Sequence, residues 1–234
     1  IKNFAKFILQ ILPILYFMIF NILTIFPQMF NSYFNESIIK RAQEKKIIKI
    51  NFLNIRDFAF DKHKKVDDTP YGGGVGMLMK IEPIYLALKA FKLKRKTPKQ
   101  KIILLCPKGK KFNQRIAERL SKLDKITFIC GRYEGIDERV NQLIDEKISI
   151  GDYILTGGEV PVMVIIDAIT RLLPGVLGKD ASSKMETFSK KYFLEYPQYT
   201  RPEIFEMNNK KTRVPKILLS GNHKKIKEWQ EKKS

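Results

Sequence analysis

Residues 102–135 read IILLCPKGKKFNQRIAERLSKLDKITFICGRYEG, and this stretch sets the fold class. Ile102 to Cys106 and Ile126 to Cys130 are short apolar runs of strand length. Between them Phe112, Ile116, Leu120 and Leu123 recur at helical spacing and line one face. Strand, amphipathic helix and strand in this order predict a βαβ unit, whose strands run parallel.

The same alternation extends outward on both sides. Phe20 to Phe26 reads as a strand, Pro27 suits a first helical position, and a helical segment runs to about Glu44, carrying Met29, Phe30, Tyr33, Phe34, Ile38 and Ile39. Ile47 to Leu53 is the next strand, and an Asp-, Lys- and Gly-rich loop covers about Asp61 to Gly76. Pro83 opens a helix to Leu93, and Lys92 to Lys101 is a basic connector. Beyond the central unit, Gly135 to Ile144 suggests a helix and Lys147 to Ile150 a short strand. Glu159 to Leu173 is a helix apolar on most sides, hence buried, stopped by Pro174 and Gly175. From Lys179 to Arg213 no period of 2 or 3.6 is sustained, so this polar stretch reads as a linker, followed by a terminal helix from about Asn222. The class is α/β.

The chain has 234 residues, enough to bury a core, and 44 Lys and Arg against 24 acids give a formal charge of +20. Such an excess favours a polyanionic partner, a phosphate backbone before an anionic membrane surface. The abundance of Lys, Ile, Asn and Phe is also what an AT-rich coding bias produces, so charge alone decides nothing. Cys106 and Cys130 each close an apolar run without metal-ligand spacing, which fits a reducing cytoplasm and neither a zinc site nor a disulfide framework. Phe7 to Phe26 is nearly all apolar behind Lys2 and Lys6 and resembles a membrane span or signal segment. Gln10, Pro13, Asn21 and Thr24 inside the run, and the lack of a small-residue cleavage site, argue against it, leaving residues 1–17 a doubtful extension ahead of Met18.

Four glycine-bearing loops concentrate the chemistry. Pro70 to Met77 includes Gly72, Gly73, Gly74 and Gly76, whose missing side chains let backbone N–H groups approach a ligand, but the spacing fits neither common nucleotide-binding glycine pattern. Cys106 to Gly109, Cys130 to Gly135 and Ile150 to Glu159 each follow a predicted strand at its carboxyl end, where open α/β sheets bind ligands. Carboxylates in the linker are Asp180, Glu186 and Glu195, beside Arg171 and the group Tyr199 to Pro202. His63 and His223 sit in basic clusters and read as surface residues.

Six of these segments, His63 to Met77, Cys130 to Val140, Ile150 to Pro161, Leu173 to Gly178, Tyr199 to Pro202 and Leu218 to His223, together resemble the bacterial tRNA (guanine-N1)-methyltransferases, members of the knotted SPOUT superfamily. The resemblance runs from about Met18 to Lys233. It implies an α/β domain over residues 18–178 whose carboxyl-terminal part is tied in a deep trefoil knot, a linker over 179–213, and the start of a small, shortened helical tRNA-binding domain over 214–234. It further implies a cytoplasmic homodimer, with no membrane partner, that uses S-adenosylmethionine to methylate N1 of the tRNA guanosine 3′-adjacent to the anticodon, position 37, supporting reading-frame maintenance. No metal-ligand set is read from the residues, and assistance of the proton transfer by Mg2+ is left open by the sequence.

By the same resemblance, the cofactor positions are Leu105 and Cys106 in the first post-strand loop, Gly131, Tyr133 and Gly135 in the second, and Ile150, Gly151, Tyr153, Leu155, Gly157, Gly158 and Pro161 in the third. The guanine and tRNA contacts fall on Tyr71, Gly72, Gly73, Gly74, Tyr199, Arg201, Asn222 and His223. The base falls on Glu186, where the family has an aspartate, with Asp180 as the fallback, and Arg171 stabilises charge on the guanine oxygen or steers the base. Val75 stands where the family commonly has proline. A non-catalytic RNA-binding protein that keeps this fold, and a membrane-anchored basic protein, are the competing readings.

Overall fold

The computed structural model describes residues 18–91, 97–177 and 195–234. The chain divides into two compact units, 1–178 and 179–234. In the first unit β1 (Met18–Thr24) leads through a 3-10 turn (Pro27–Phe30) and two short helices, α1 (Asn31–Phe34) and α2 (Ser37–Glu44), to β2 (Ile48–Asn54). A 3-10 turn (Ile55–Phe58) and a two-residue ladder, β3 (Asp67–Asp68) with β4 (Leu78–Met79), precede α3 (Ile81–Ala90). Then come β5 (Gln100–Lys111), α4 (Gln114–Leu120), β6 (Lys125–Cys130), a 3-10 helix (Glu138–Gln142), β7 (Glu146–Ser149) and α5 (Glu159–Thr170).

The five long strands form one sheet in the order β2-β1-β6-β5-β7, every neighbouring pair parallel. Both faces are covered, which is why the strands read as nearly continuous apolar runs. Side chains alternate across the sheet: Phe20, Ile22, Ile103, Leu105 and Phe128 join one buried cluster with Ile116, Leu120, Val162 and Ile166 of α4 and α5. Leu23, Ile102, Leu104 and Ile129 join the other, with Ile55 and with Ile84 and Leu88 of α3. Phe20 and Phe128 stack at 6.3 Å between ring centroids.

A polar row crosses the second face. Asn51 donates through Nδ2 to Asn21 Oδ1 at 2.9 Å, and Asn21 donates through its own Nδ2 to Thr127 Oγ1 at 3.2 Å. These residues are register partners on β2, β1 and β6, so the row is satisfied only in this strand alignment.

The βαβ unit read from residues 102–135 is present as β5, α4 and β6. Four local expectations give way. The helix from Pro27 to Glu44 begins as a 3-10 turn and is interrupted between α1 and α2, because Ser37 takes φ 48°, a left-handed conformation no helix can run through. Gly135 to Ile144 is only a 3-10 helix at Glu138–Gln142; its first residues are pulled into pairing with β4, where Met79 N–H donates to Gly135 O and Asp137 N–H to Met79 O. The helix from Glu159 is not buried all round, since Val160 and Val164 stand 47% and 43% exposed. The stretch read as an aperiodic linker contains a hairpin, β8 (Ile204–Met207) with β9 (Lys210–Arg213), whose turn residues Asn208 and Asn209 both take positive φ.

The second unit continues with α6 (Lys216–Leu219) and α7 (His223–Lys233). Among the described residues no helix is long and apolar enough to cross a membrane. The last third of the apolar Phe7 to Phe26 run is β1, with Phe20, Ile22 and Leu23 fully buried, and its earlier residues up to Phe17 lie outside the described residues.

Candidate cofactor and methyl-transfer site

Strands β6, β5 and β7 are neighbours, and a bulge in β5 lies level with the carboxyl ends of β6 and β7, so three glycine-bearing loops come together. The first loop is a bulge inside β5: Leu105 and Lys110 both register with Ile148, so residues 106–109 are looped out of the ladder. Gly109 seals it, because a Cβ there would lie 2.5 Å from the backbone N of Ile148. The second loop leaves β6 through Gly131, beside Leu105 O, and turns at Tyr133, which takes φ 59°. The third leaves β7 through Ile150 and Gly151 and returns through Gly157 and Gly158 into α5.

The second and third loops are joined backbone to backbone. Gly158 N–H donates to Gly131 O at 2.9 Å, and a Cβ on Gly158 would lie 2.7 Å from Cys130 Cα. The base of the third loop is fixed by Ser149, whose hydroxyl donates to Gly151 O at 2.9 Å and accepts from Gly151 N–H, and by the Lys111–Asp152 ion pair. Tyr133, Tyr153, Ile154 and Leu155 hold apolar surface in solvent around this backbone, at 45%, 54%, 81% and 41% exposure. Rigid backbone donors and acceptors beside uncovered apolar side chains suit a flat ligand with polar edges and an apolar body.

The glycine loop of residues 70–77 is tied to the second loop at its carboxyl end. Glu134 N–H donates to Met77 O at 3.1 Å, and Met79 N–H to Gly135 O at 2.9 Å. Its tip is open: Gly72, Gly73, Gly74 and Gly76 all take positive φ, and Tyr71 and Val75 are fully exposed.

Between the loops lies a charge pair that the sequence reading missed. Glu159, the first residue of α5, is 1% exposed and accepts from Thr24 Oγ1 at 2.7 Å and from Arg132 Nε at 3.1 Å. A charged residue opening a helix whose next seven residues are all apolar was the available signal. Cys130 is fully buried, and burial followed by the nearby Glu159 charge pushes its thiol well up, so it is no nucleophile. Among the described residues no group of three or more His, Cys, Asp and Glu could hold a metal ion.

The family model of tRNA (Guanine-1)-methyltransferase TrmD matches residues 18–234. The chain is 57% identical over 217 residues to tRNA (guanine-N(1)-)-methyltransferase of Carboxydothermus hydrogenoformans, covering 92% of this chain and 81% of that protein. It is 54% identical to the protein of that name from Caldanaerobacter subterraneus subsp. tengcongensis, with 93% and 87% covered, and 54% to that from Geobacter sp. strain M21, with 91% and 83% covered. The chain belongs to the tRNA (guanine-1)-methyltransferase family.

In this member of the tRNA (guanine-1)-methyltransferase family, the twelve positions singled out for the cofactor all fall at the bulge inside β5, in the loops that follow β6 and β7, or on the first turn of α5. Leu105, Gly158 and Pro161 are buried, Cys106, Gly131, Gly135, Ile150, Gly151 and Gly157 half-buried, and Tyr133, Tyr153 and Leu155 exposed. Arg171 caps the carboxyl end of α5 on the surface. Glu186 and Asp180 lie outside the described residues. Tyr71 and Gly72 to Gly74 sit at the open tip of the glycine loop. Tyr199, Arg201, Asn222 and His223 belong to the second unit, where Asn222 caps α7 by accepting from Lys225 N–H at 3.1 Å and His223 is exposed.

Proposed function

We propose that the chain transfers the methyl group of S-adenosylmethionine to N1 of a guanine in tRNA, at the guanosine immediately 3′ of the anticodon. The observation that carries this reading, beside family membership, is the gathering of three backbone-rich loops on adjacent strands, the second and third joined by the Gly158 to Gly131 hydrogen bond. Leu105, Gly131, Tyr133, Tyr153, Leu155 and Gly157 are the residues that would hold the cofactor. When bound, S-adenosylmethionine supplies a methyl group already activated by its sulfonium, so the protein must align the acceptor and remove one proton.

Glu186 takes the proton from guanine N1, freeing the nitrogen lone pair for the new N–CH3 bond. Arg171, whose guanidinium is always charged, stabilises the negative charge that grows on the guanine oxygen as that proton leaves. The guanine is splayed from its stack to reach the site, at a cost of a few kcal/mol. Tyr71, Gly72, Gly73 and Gly74 face it from the glycine loop, and Tyr199, Arg201, Asn222 and His223 with the Lys-rich α7 bear on the tRNA.

The carboxyl-terminal part of the first unit is tied in a trefoil knot. Support comes from the closeness with which the return into α5 passes the end of β6, at Gly158 against Cys130. The enzyme works as a homodimer in the cytoplasm. An apolar face formed by Phe26, Met29 and Tyr33, with Val160 and Val164 of the adjoining α5, supports a subunit contact, each residue standing 40–47% exposed.

The test is transfer of a labelled methyl group to a tRNA transcript with two guanines after the anticodon, beside a control lacking the target guanine. Transfer that depends on the target guanine is expected. Cofactor binding without transfer to either transcript would favour a non-catalytic RNA-binding protein.

A further inference from the structure

A buried ion pair contributes little net stability, because desolvation offsets the attraction; its use is often to specify one arrangement. The Arg132–Glu159 pair has the geometry of such a device. Glu159 is held from two sides by Thr24 at the end of β1 and Arg132 in the second loop. Arg132 in turn spends its whole fork. Nε goes to Glu159, Nη1 donates to Thr156 O in the third loop at 3.2 Å, and Nη2 points to Met29 Sδ at 3.3 Å. The guanidinium also lies 4.7 Å from the Phe26 ring centroid.

One guanidinium therefore ties the second loop to the third, while the carboxylate under it is anchored to the sheet. The backbone makes room for this pair: a Cβ on Gly157 would lie 2.3 Å from Arg132 Nε and 2.5 Å from Glu159 Oε2. The flanking residues Gly131, Tyr133, Gly157 and Gly158 are among those assigned above to the cofactor.

We propose that Glu159, acting through Arg132, is a positioning residue that holds the second and third loops in their cofactor-binding geometry. This inference rests on reading those loops as the S-adenosylmethionine site. Neither side chain touches the reacting atoms. Without the carboxylate, the guanidinium loses the acceptor that orients its plane, and its hold on Thr156 O relaxes with it.

The experiment measures three quantities on the full chain for the parent, Glu159→Gln, Arg132→Lys and the double variant. They are the affinity for S-adenosylhomocysteine by calorimetry, the KM for tRNA, and the hydrogen exchange of the loop amides without ligand, the last two read well below each variant's Tm. Glu159→Gln is expected to weaken the ligand by about tenfold or more, equivalent to about 1.4 kcal/mol, with KM for tRNA moved less than about twofold. Exchange should quicken at Gly158, and the double variant should be little worse than the poorer single one, since both break one pair. Unchanged affinity and unchanged Gly158 exchange in Glu159→Gln would overturn the proposal, as would additive losses. If Glu159→Gln does not fold, Thr24→Val, which removes one hydrogen bond to the carboxylate and keeps the charge pair, carries the same readouts in the same direction. A parent that binds no ligand would instead sink the functional reading, and the exchange result would still decide whether the pair holds the loops.

Discussion

The side chain of Glu134 occupies the space in which a Cβ on Gly76 would stand: that atom would lie 2.4 Å from Glu134 Cγ. Gly76 also takes φ +88°, so the end of the glycine loop and the second post-strand loop fit together as they stand through a residue without a side chain. Gly76→Ala should therefore cost about 1–2 kcal/mol through the left-handed backbone alone and displace Glu134, which is exposed and can swing away. The expected result is a Tm lowered by a few degrees and slower methyl transfer, with affinity for S-adenosylhomocysteine largely kept. A variant with parental turnover would show that the loop fit does not matter to the reaction.

A sharper contrast is available between two other glycines. At Gly158 a Cβ would meet backbone, 2.7 Å from Cys130 Cα and 3.1 Å from Gly131 N, and backbone cannot step aside as a side chain can. At Gly72 it would meet nothing within 4 Å. Gly158→Ala is expected to destabilise the first unit by about 1–3 kcal/mol and to abolish measurable ligand affinity, because it forces apart the loops that should grip the cofactor. Gly72→Ala, with only its positive φ to strain, should leave that affinity within about twofold of the parent. Equal effects of the two substitutions on calorimetric affinity would contradict this account.

How much could be read from the sequence depends on how local the cause was. The unit β5–α4–β6 was legible because Ile102 to Cys106 and Phe112 to Leu123 carry different periods within a few residues of each other. The break at Ser37 was not, because nothing in a serine announces a left-handed conformation. The hairpin at Asn208 and Asn209 could have been found, since two adjacent asparagines favour the positive φ that its turn needs. The closeness of Gly158 to Cys130 joins residues 28 apart in sequence, and no pattern along the chain reports it. The cofactor positions rest on resemblance; spacing alone points only to three loops that share an end of the sheet if the strand order brings them together, and the order β6-β5-β7 does.

Asp137 contributes to the acid side of the stability profile. Asp137 caps the 3-10 helix at Glu138–Gln142, accepting from Arg139 N–H at 2.9 Å and from its guanidinium at 2.6 to 3.1 Å. The Arg139 side-chain hydrogen bonds, ahead of the opposing effect of burial, hold its carboxyl below the usual value. A folded pKa below the unfolded one gives stability that is complete above the unfolded value, about 3.9, and lost as pH falls through the folded value. Asp137→Ala should therefore be less stable by about 1 kcal/mol at neutral pH, and the gap should narrow in urea titrations below about pH 4. A gap that widened on acidification would reverse the sign argued here.

The base assigned to Glu186 gives the most direct test of the proposed chemistry. Proton removal by a positioned carboxylate is worth about 10² to 10⁴ in rate, so Glu186→Gln, which keeps the shape and removes the basic oxygen, should lose turnover on that scale while binding S-adenosylhomocysteine normally. Glu186→Asp restores the residue usual in this family, with a side chain one methylene shorter. A shift of about 1 Å at a reacting group can cost 10²-fold, so the aspartate is expected to recover only part of the parental rate. Arg171→Lys should fall with Glu186→Gln in kcat and not in cofactor affinity, since a point charge replaces the guanidinium fork proposed to act on the guanine oxygen. Single-turnover rates on tRNA for these three variants, taken across pH, decide the matter. Parental turnover in Glu186→Gln would move the base to Asp180, and Asp180→Asn would then be the variant that fails.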